Sequence, residues 1–164
     1  MDEFPLIEEG YSVSLKVLIV DDSAFMRKVI SDILNQDNQI TVVGTAKNGI
    51  DAVKKTGQLQ PDVITMDVEK PEMNGIDAVK QIMKNNPRPI VMVSALTSQG
   101  AKTTLESLQA GAIDFICKPS GSISLNMKEI GSELVTKVKA AAYANVNYAW
   151  RAIKSVSTDE SKSL

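Results

Sequence analysis

The sequence contains no histidine among its 164 residues, a single cysteine, Cys117, and a single tryptophan, Trp150. Without imidazole, Ser-His-Asp and Cys-His catalysis are excluded within these residues, and so is a phosphohistidine. A lone cysteine forms no internal disulfide, so nothing suggests an oxidising compartment. No apolar run approaches the roughly 20 residues that span a bilayer, and the acidic start MDEFPLIEEG lacks the cationic and apolar regions of a signal peptide. A basic face is missing as well. The formal net charge of -2 and pI near 5.2 argue against a nucleic-acid footprint, which needs cations to neutralise phosphates. The expectation is a soluble, cytoplasmic protein with no membrane insertion and no nucleic-acid partner.

What is present is a regular alternation. With 43% hydrophobic residues and a mean hydropathy of -0.05, the chain fits one domain with a real core. Residues 1–14 are acidic and aperiodic and read as an N-terminal extension. From Leu15, short β-branched runs at 16–20, 40–46, 62–67, 90–94 and 112–116 predict five strands. Between them, apolar residues recur at helical spacing: Phe25, Val29, Ile30, Ile33 and Leu34; Ile50, Val53 and the stem of Lys54; Ile76, Val79, Ile82 and Met83; Leu105 and Leu108; Ile130, Leu134, Val138 and Ala141. Five strand-helix units joined by short loops call for a parallel sheet covered on both faces, a flavodoxin-like doubly wound α/β fold of strand order 2-1-3-4-5 with five helices. Val17-Leu18-Ile19-Val20 and Ile90-Val91-Met92-Val93 are continuously apolar, as strands buried on both faces require. The domain is expected over 15–144. Residues 145–164 read as a linker or tail, in which Trp150 packs back on the domain or faces a missing neighbour.

In such sheets chemistry gathers at the carboxyl ends of the strands. Asp21 and Asp22 follow the first strand, Asp67 ends the third, Ser94 ends the fourth and Lys118 follows the fifth. An Asp-Asp pair alone is ordinarily a solvated turn, a lone lysine a surface charge, and a serine before a helix a cap. Asp67 is different, because it emerges directly from Val63-Ile64-Thr65-Met66, where an unpaired charge is costly. Three carboxylates converging at one sheet edge repel one another unless a cation sits among them. Mg²⁺ suits them: it takes hard oxygen ligands and keeps sites for water and phosphate, whereas softer metals prefer nitrogen or sulfur. A phosphoryl group entering there needs its oxygens neutralised. Mg²⁺ on one side, the Lys118 ammonium on the other and the Ser94 hydroxyl supply that, with a carboxylate of Asp67 as nucleophile.

Asp21-Asp22, Asp67, Ser94 and Lys118-Pro119, in this order and at these strand ends, resemble the receiver domain of two-component response regulators, as do the runs VDDSAFMR, DVEKPEMNG and GAIDFICKPS. The resemblance covers roughly residues 15–144. It implies that Asp67 accepts the phosphoryl group, that Asp21 or Asp22 with Asp67 and the main-chain carbonyl of Glu69 hold Mg²⁺, and that Lys118 contacts the phosphate. It further implies that Ser94 and Phe115 form a switch pair and that the Lys118–Pro119 peptide is cis. Taken without the resemblance, Phe115 reads equally as a core aromatic. Lys70 departs from the pattern, in which methionine is common at that position, but it replaces no chemical group.

Within that family, DDSAFMR, DVITMDVEKPEMNG and KPSGSISL followed by a helix ending KVKAAA look like the chemotaxis methylesterase response regulators. There the receiver precedes a methylesterase and deamidase domain and restrains it until phosphorylated by the chemotaxis histidine kinase, acting on chemoreceptors indirectly. Without histidine, no esterase triad lies in these residues, so the chain reads either as a fragment of such a protein or as a receiver acting alone. Its own chemistry is then confined to Mg²⁺-assisted self-phosphorylation and dephosphorylation.

Two other readings fit the sequence less well. A haloacid-dehalogenase-like phosphatase would use Asp67-Val68-Glu69, but that family places its motif after the first strand, and Asp21-Asp22 would go unexplained. A flavin-binding protein needs a phosphate-cradling loop after the first strand, where two acids stand, and no G-x-G-x-x-G or Walker A pattern occurs. Ala95, Leu96, Ala101 and Leu105 mark either a partner surface or core packing.

Overall fold

In a computed structural model of the chain, the described residues are 14–67, 75–95, 97–118 and 129–144. Strand and helix alternate through them: β1 Leu15–Asp21, α1 Ala24–Asn35, β2 Ile40–Ala46, α2 Gly49–Leu59, β3 Val63–Asp67, α3 Gly75–Asn85, β4 Ile90–Ser94, α4 Ser98–Ala110, β5 Asp114–Cys117 and α5 Gly131–Ala144. All four strand pairings are parallel and the order is β2-β1-β3-β4-β5, the doubly wound arrangement expected.

Alternation along each strand divides the core in two. Val17 and Ile19 of β1 face one layer, with Val91 and Val93 of β4, against Met26, Ile30, Ile33 and Leu34 of α1 and Leu134 and Val138 of α5. Leu18 and Val20, with Ile64, Met66, Ile90 and Met92, face the other, against Ala52 of α2 and Ala78, Val79 and Ile82 of α3. Both faces being covered explains why the central strands lack a polar alternation. Side-chain caps start the helices where the strands release the chain. Ser23 Oγ accepts from the Met26 N–H at 3.2 Å, Asn48 Oδ1 from Asp51 N–H at 2.8 Å and Thr97 Oγ1 from Gly100 N–H at 2.9 Å.

Several expected core positions are not core. Phe25 (53% exposed) and Ile50 (55%) lie outside the buried stripes, because α1 turns Met26, Ile30, Ile33 and Leu34 inward and α2 turns Gly49, Ala52 and Thr56 inward. In α4 the buried residues are Gly100, Thr103, Thr104 and Ser107, leaving Leu105 63% exposed while Leu108 packs only partly. A helix with two leucines hides a hydroxyl-bearing face. β5 begins at Asp114 and not at 112, since Ala112 N–H is taken at 2.9 Å by the Ser107 carbonyl as part of the α4 C-cap around Gly111. Leu96, Trp150 and the segments 1–13 and 145–164 lie outside the described residues.

Candidate functional site

β1 and β3 lie in register so that their terminal residues, Asp21 and Asp67, are direct partners. The strands end at the same height, so two carboxylates meet at one sheet edge. Both are buried, Asp21 completely and Asp67 to 6% exposure, while Asp22, one residue beyond β1, is exposed. Two strands away, β5 runs out into Lys118, whose main-chain N–H donates to the Ser94 carbonyl at 2.7 Å and so prolongs the β4–β5 pairing. From there the Lys118 side chain reaches across the sheet edge. Its ammonium contacts Asp67 Oδ2 and stands 3.2 Å from Asp21 Oδ2.

One carboxylate oxygen from each of Asp21, Asp22 and Asp67 lies within 4.8 Å of the others. Asp21 Oδ1 accepts the Ser23 N–H at 2.9 Å, but Asp21 Oδ2, although buried, has no hydrogen bond among the described residues and meets only the ion pair with Lys118. Burial holds the Asp21 carboxyl above its usual range, against the opposing pull of Lys118 and the Ser23 N–H. For Lys118, burial pulls the ammonium down, but Asp67 and then Asp21 outweigh it and the group stands above its ordinary value. Three carboxylates thus crowd together, two of them around the Lys118 ammonium, with a buried Asp21 oxygen left without a hydrogen bond among the described residues. Hard oxygen donors in so tight a set, with no nitrogen or sulfur donor among them, fit a divalent cation such as Mg²⁺.

Ser94 ends β4 and is 5% exposed; its hydroxyl is paired at 2.7 Å with Thr104 Oγ1 of α4, itself 7% exposed. Phe115 lies in β5 opposite Met92 and is 40% exposed. Its ring lies under Lys137 Nζ, 5.3 Å from the centroid, and the same ammonium donates to the Phe115 carbonyl at 2.7 Å. Phe115 is therefore not a core aromatic in this structure. Glu69 and Pro119, expected as a metal-ligating carbonyl and a cis peptide, lie outside the described residues.

Two neighbours of the cluster escaped sequence reasoning. Arg27, on the first turn of α1, donates to the Asp21 main-chain carbonyl at 2.8 Å; its position one turn after Ser23 was the available signal. Thr104 belongs to the hydroxyl series Thr103, Thr104 and Ser107, which the leucines of α4 obscured.

Residues 17–128 match the response regulator receiver domain. The chain is 56% identical over 128 residues, 78% of its length, to a protein-glutamate methylesterase/protein-glutamine glutaminase of Pyrococcus horikoshii, of which the match covers 35%. A protein of the same name from Symbiobacterium thermophilum is 55% identical over 130 residues, 79% of this chain and 36% of that one. The chain thus spans about a third of the length of these relatives. Among solved structures, the response regulator domain of Thermotoga maritima CheB superposes with a TM-score of 0.74 at 51% identity, covering 80% of this chain and 98% of that one. Sheet order, strand-end carboxylates and sequence agree: this chain belongs to the response regulator receiver domain family.

Proposed function

We propose that Asp67 is the phosphoacceptor of a phosphorylation-dependent chemotaxis switch supplied by a histidine kinase. The observation that carries this reading is the buried Asp67 carboxylate held between the Lys118 ammonium and the carboxylates of Asp21 and Asp22 at the carboxyl edge of the sheet. An Asp67 oxygen attacks phosphorus, and the bond from phosphorus to the donor breaks; being ionised, the nucleophile needs no base. With a phosphohistidine donor, the leaving imidazole nitrogen takes its proton from solvent.

Asp21 or Asp22, with Asp67 and the main-chain carbonyl of Glu69, would hold Mg²⁺. Bound there, it supplies positive charge to the phosphoryl oxygens. Lys118 shifts from the Asp67 carboxylate to a phosphoryl oxygen, and the Ser94 hydroxyl turns to donate to another. Phe115 then turns inward, the second half of the switch. The receiver unit on this reading is 15–144, with 1–14 as an extension and 145–164 as a linker or tail. The relatives' shared name supports the further proposal that the switch regulates a methylesterase and deamidase domain; on this reading that domain lies C-terminal to the receiver, in the cytoplasm, and the switch acts through it on chemoreceptors.

Incubation with acetyl phosphate and Mg²⁺ is expected to add one phosphoryl group by intact-mass spectrometry, and Asp67→Asn to add none. Lys118→Ala is expected to keep its response to Mg²⁺ while gaining the group more slowly. Wild-type protein that gains nothing, or gains as much in EDTA, overturns the mechanism.

A further inference from the structure

The Ser94 hydroxyl, on a buried residue, is paired with Thr104, a residue of a different element with no part in the cluster of charges. The two oxygens are 2.7 Å apart, and both residues are buried, so neither hydroxyl has bulk water as a substitute partner. A hydroxyl donates one proton. Either oxygen can be the donor of this pair; a Ser94 hydroxyl that donates to a phosphoryl oxygen on Asp67 cannot also donate to Thr104, and one that rotates toward Asp67 leaves the pair altogether. α4 around Thr104 has little apolar packing to absorb the loss: its buried face is Gly100, Thr103, Thr104 and Ser107, and Ser107 Oγ already has no hydrogen bond among the described residues.

We propose that Thr104 is a positioning residue that holds the Ser94 hydroxyl in its unphosphorylated setting, so that the Ser94–Thr104 hydrogen bond opposes phosphorylation of Asp67. This rests on the phosphoacceptor reading of Asp67. On this proposal the bond is broken when Ser94 rotates toward the phosphoryl group, so its free energy counts against the phosphorylated state. It also ties the chemistry at the sheet edge to α4, because the Ser94–Thr104 hydrogen bond joins β4 to that helix. Sequence alone does not expose this pairing, because Ser94 and Thr104 are ten residues apart on different elements.

The test is the ratio of phosphorylated to unphosphorylated chain at steady state with acetyl phosphate and Mg²⁺, read by intact-mass spectrometry. Thr104→Val keeps shape and removes the hydroxyl; the ratio is expected to rise about fivefold, the equivalent of one net buried hydrogen bond. Thr104→Ser restores the hydroxyl and is expected to return the ratio to the wild-type value. In a Ser94→Ala background, Thr104→Val is expected to change nothing, because the pair it breaks is already gone. A general loosening of α4 would instead act in both backgrounds.

A ratio unchanged in Thr104→Val, or raised equally in Ser94→Ala, overturns the proposal. Thr104→Ala carries the same comparison should the valine variant fail to fold by circular dichroism. Wild-type protein that takes up no phosphoryl group overturns the phosphoacceptor reading first and this inference with it, whereas normal uptake with no Thr104 effect overturns this inference alone.

Discussion

Replacing Asp21 with asparagine is expected to stabilise the metal-free protein and to remove its response to Mg²⁺. The Asp21 carboxylate stands 3.2 Å from the Lys118 ammonium, which at an effective dielectric near 20 is worth about 5 kcal/mol of attraction. A carboxylate oxygen of Asp67 lies within 4.8 Å, which on the same scale repels by at least about 3.5 kcal/mol. Asp22 adds a further repulsion, reduced by its exposure to water. Attraction and repulsion nearly cancel, and the desolvation of a fully buried charge is left uncompensated, which is why burial dominates the upward displacement of the Asp21 carboxyl. Asparagine keeps an oxygen for the Ser23 N–H, now 2.9 Å from Asp21 Oδ1, and discards the charge. The gain in EDTA is expected to be about 1 kcal/mol, or about 3 °C in melting temperature for a domain of this size. For the wild type, Mg²⁺ at a hundredfold excess over its dissociation constant adds about 2.7 kcal/mol, and the variant loses most of that increment. Calorimetry in EDTA and in rising MgCl₂, at ionic strength held constant with NaCl, measures both. A variant that melts below wild type in EDTA, or that keeps the full Mg²⁺ shift, refutes the reasoning.

The Lys118 ammonium stands above its ordinary value of 10.5 in the folded state, so the stability it contributes is fully present below that pH and lost as the pH climbs through the folded value. Urea midpoints of wild type and Lys118→Met are therefore expected to converge above pH 10.5, and a gap that stays constant or widens there contradicts the sign. Gly100→Ala places a methyl 2.2 Å from the Ala95 carbonyl oxygen, a backbone atom that cannot rotate away. A loss of about 2–3 kcal/mol in chemical denaturation is expected, and a neutral result would mean that the turn into α4 yields freely. Ile64→Ala, at the fully buried centre of β3, is expected to cost about 2–5 kcal/mol in the same assay; less than about 1 kcal/mol would show that the second core layer collapses around the gap.

Much of the fold was legible because its signals are local. A strand buried on both faces reads as a continuous apolar run, and Val17 to Val20 and Ile90 to Val93 read so; a helix packed on the sheet shows a 3.6-residue stripe, and the series Ile30, Ile33, Leu34 and Leu134, Val138, Ala141 are buried as spaced. The stripes failed where one residue sat at the edge of the face. Phe25, Ile50 and Leu105 are apolar and near the right spacing, yet helix rotation is decided by the sheet surface each helix meets, and those three were turned outward. The fifth strand starts at Asp114, two residues after its apolar run begins, because the C-cap of α4 takes the Ala112 N–H.

Residue identity and order establish that these 164 residues hold no imidazole, that strand and helix alternate, and that acids, a hydroxyl and a lysine stand where strands end. Those properties do not depend on distance. Packing across the domain decides that Asp21 lies beside Asp67 on neighbouring strands, that Lys118 reaches both, and that Asp21 Oδ2 is buried with no hydrogen bond among the described residues. It also decides that Ser94 is held by Thr104 and that Phe115 is stacked under Lys137 on the outside of the domain. Each of these depends on the parallel register and on how far each helix is rotated over the sheet, quantities set by packing across the whole domain and not by any local stretch of sequence.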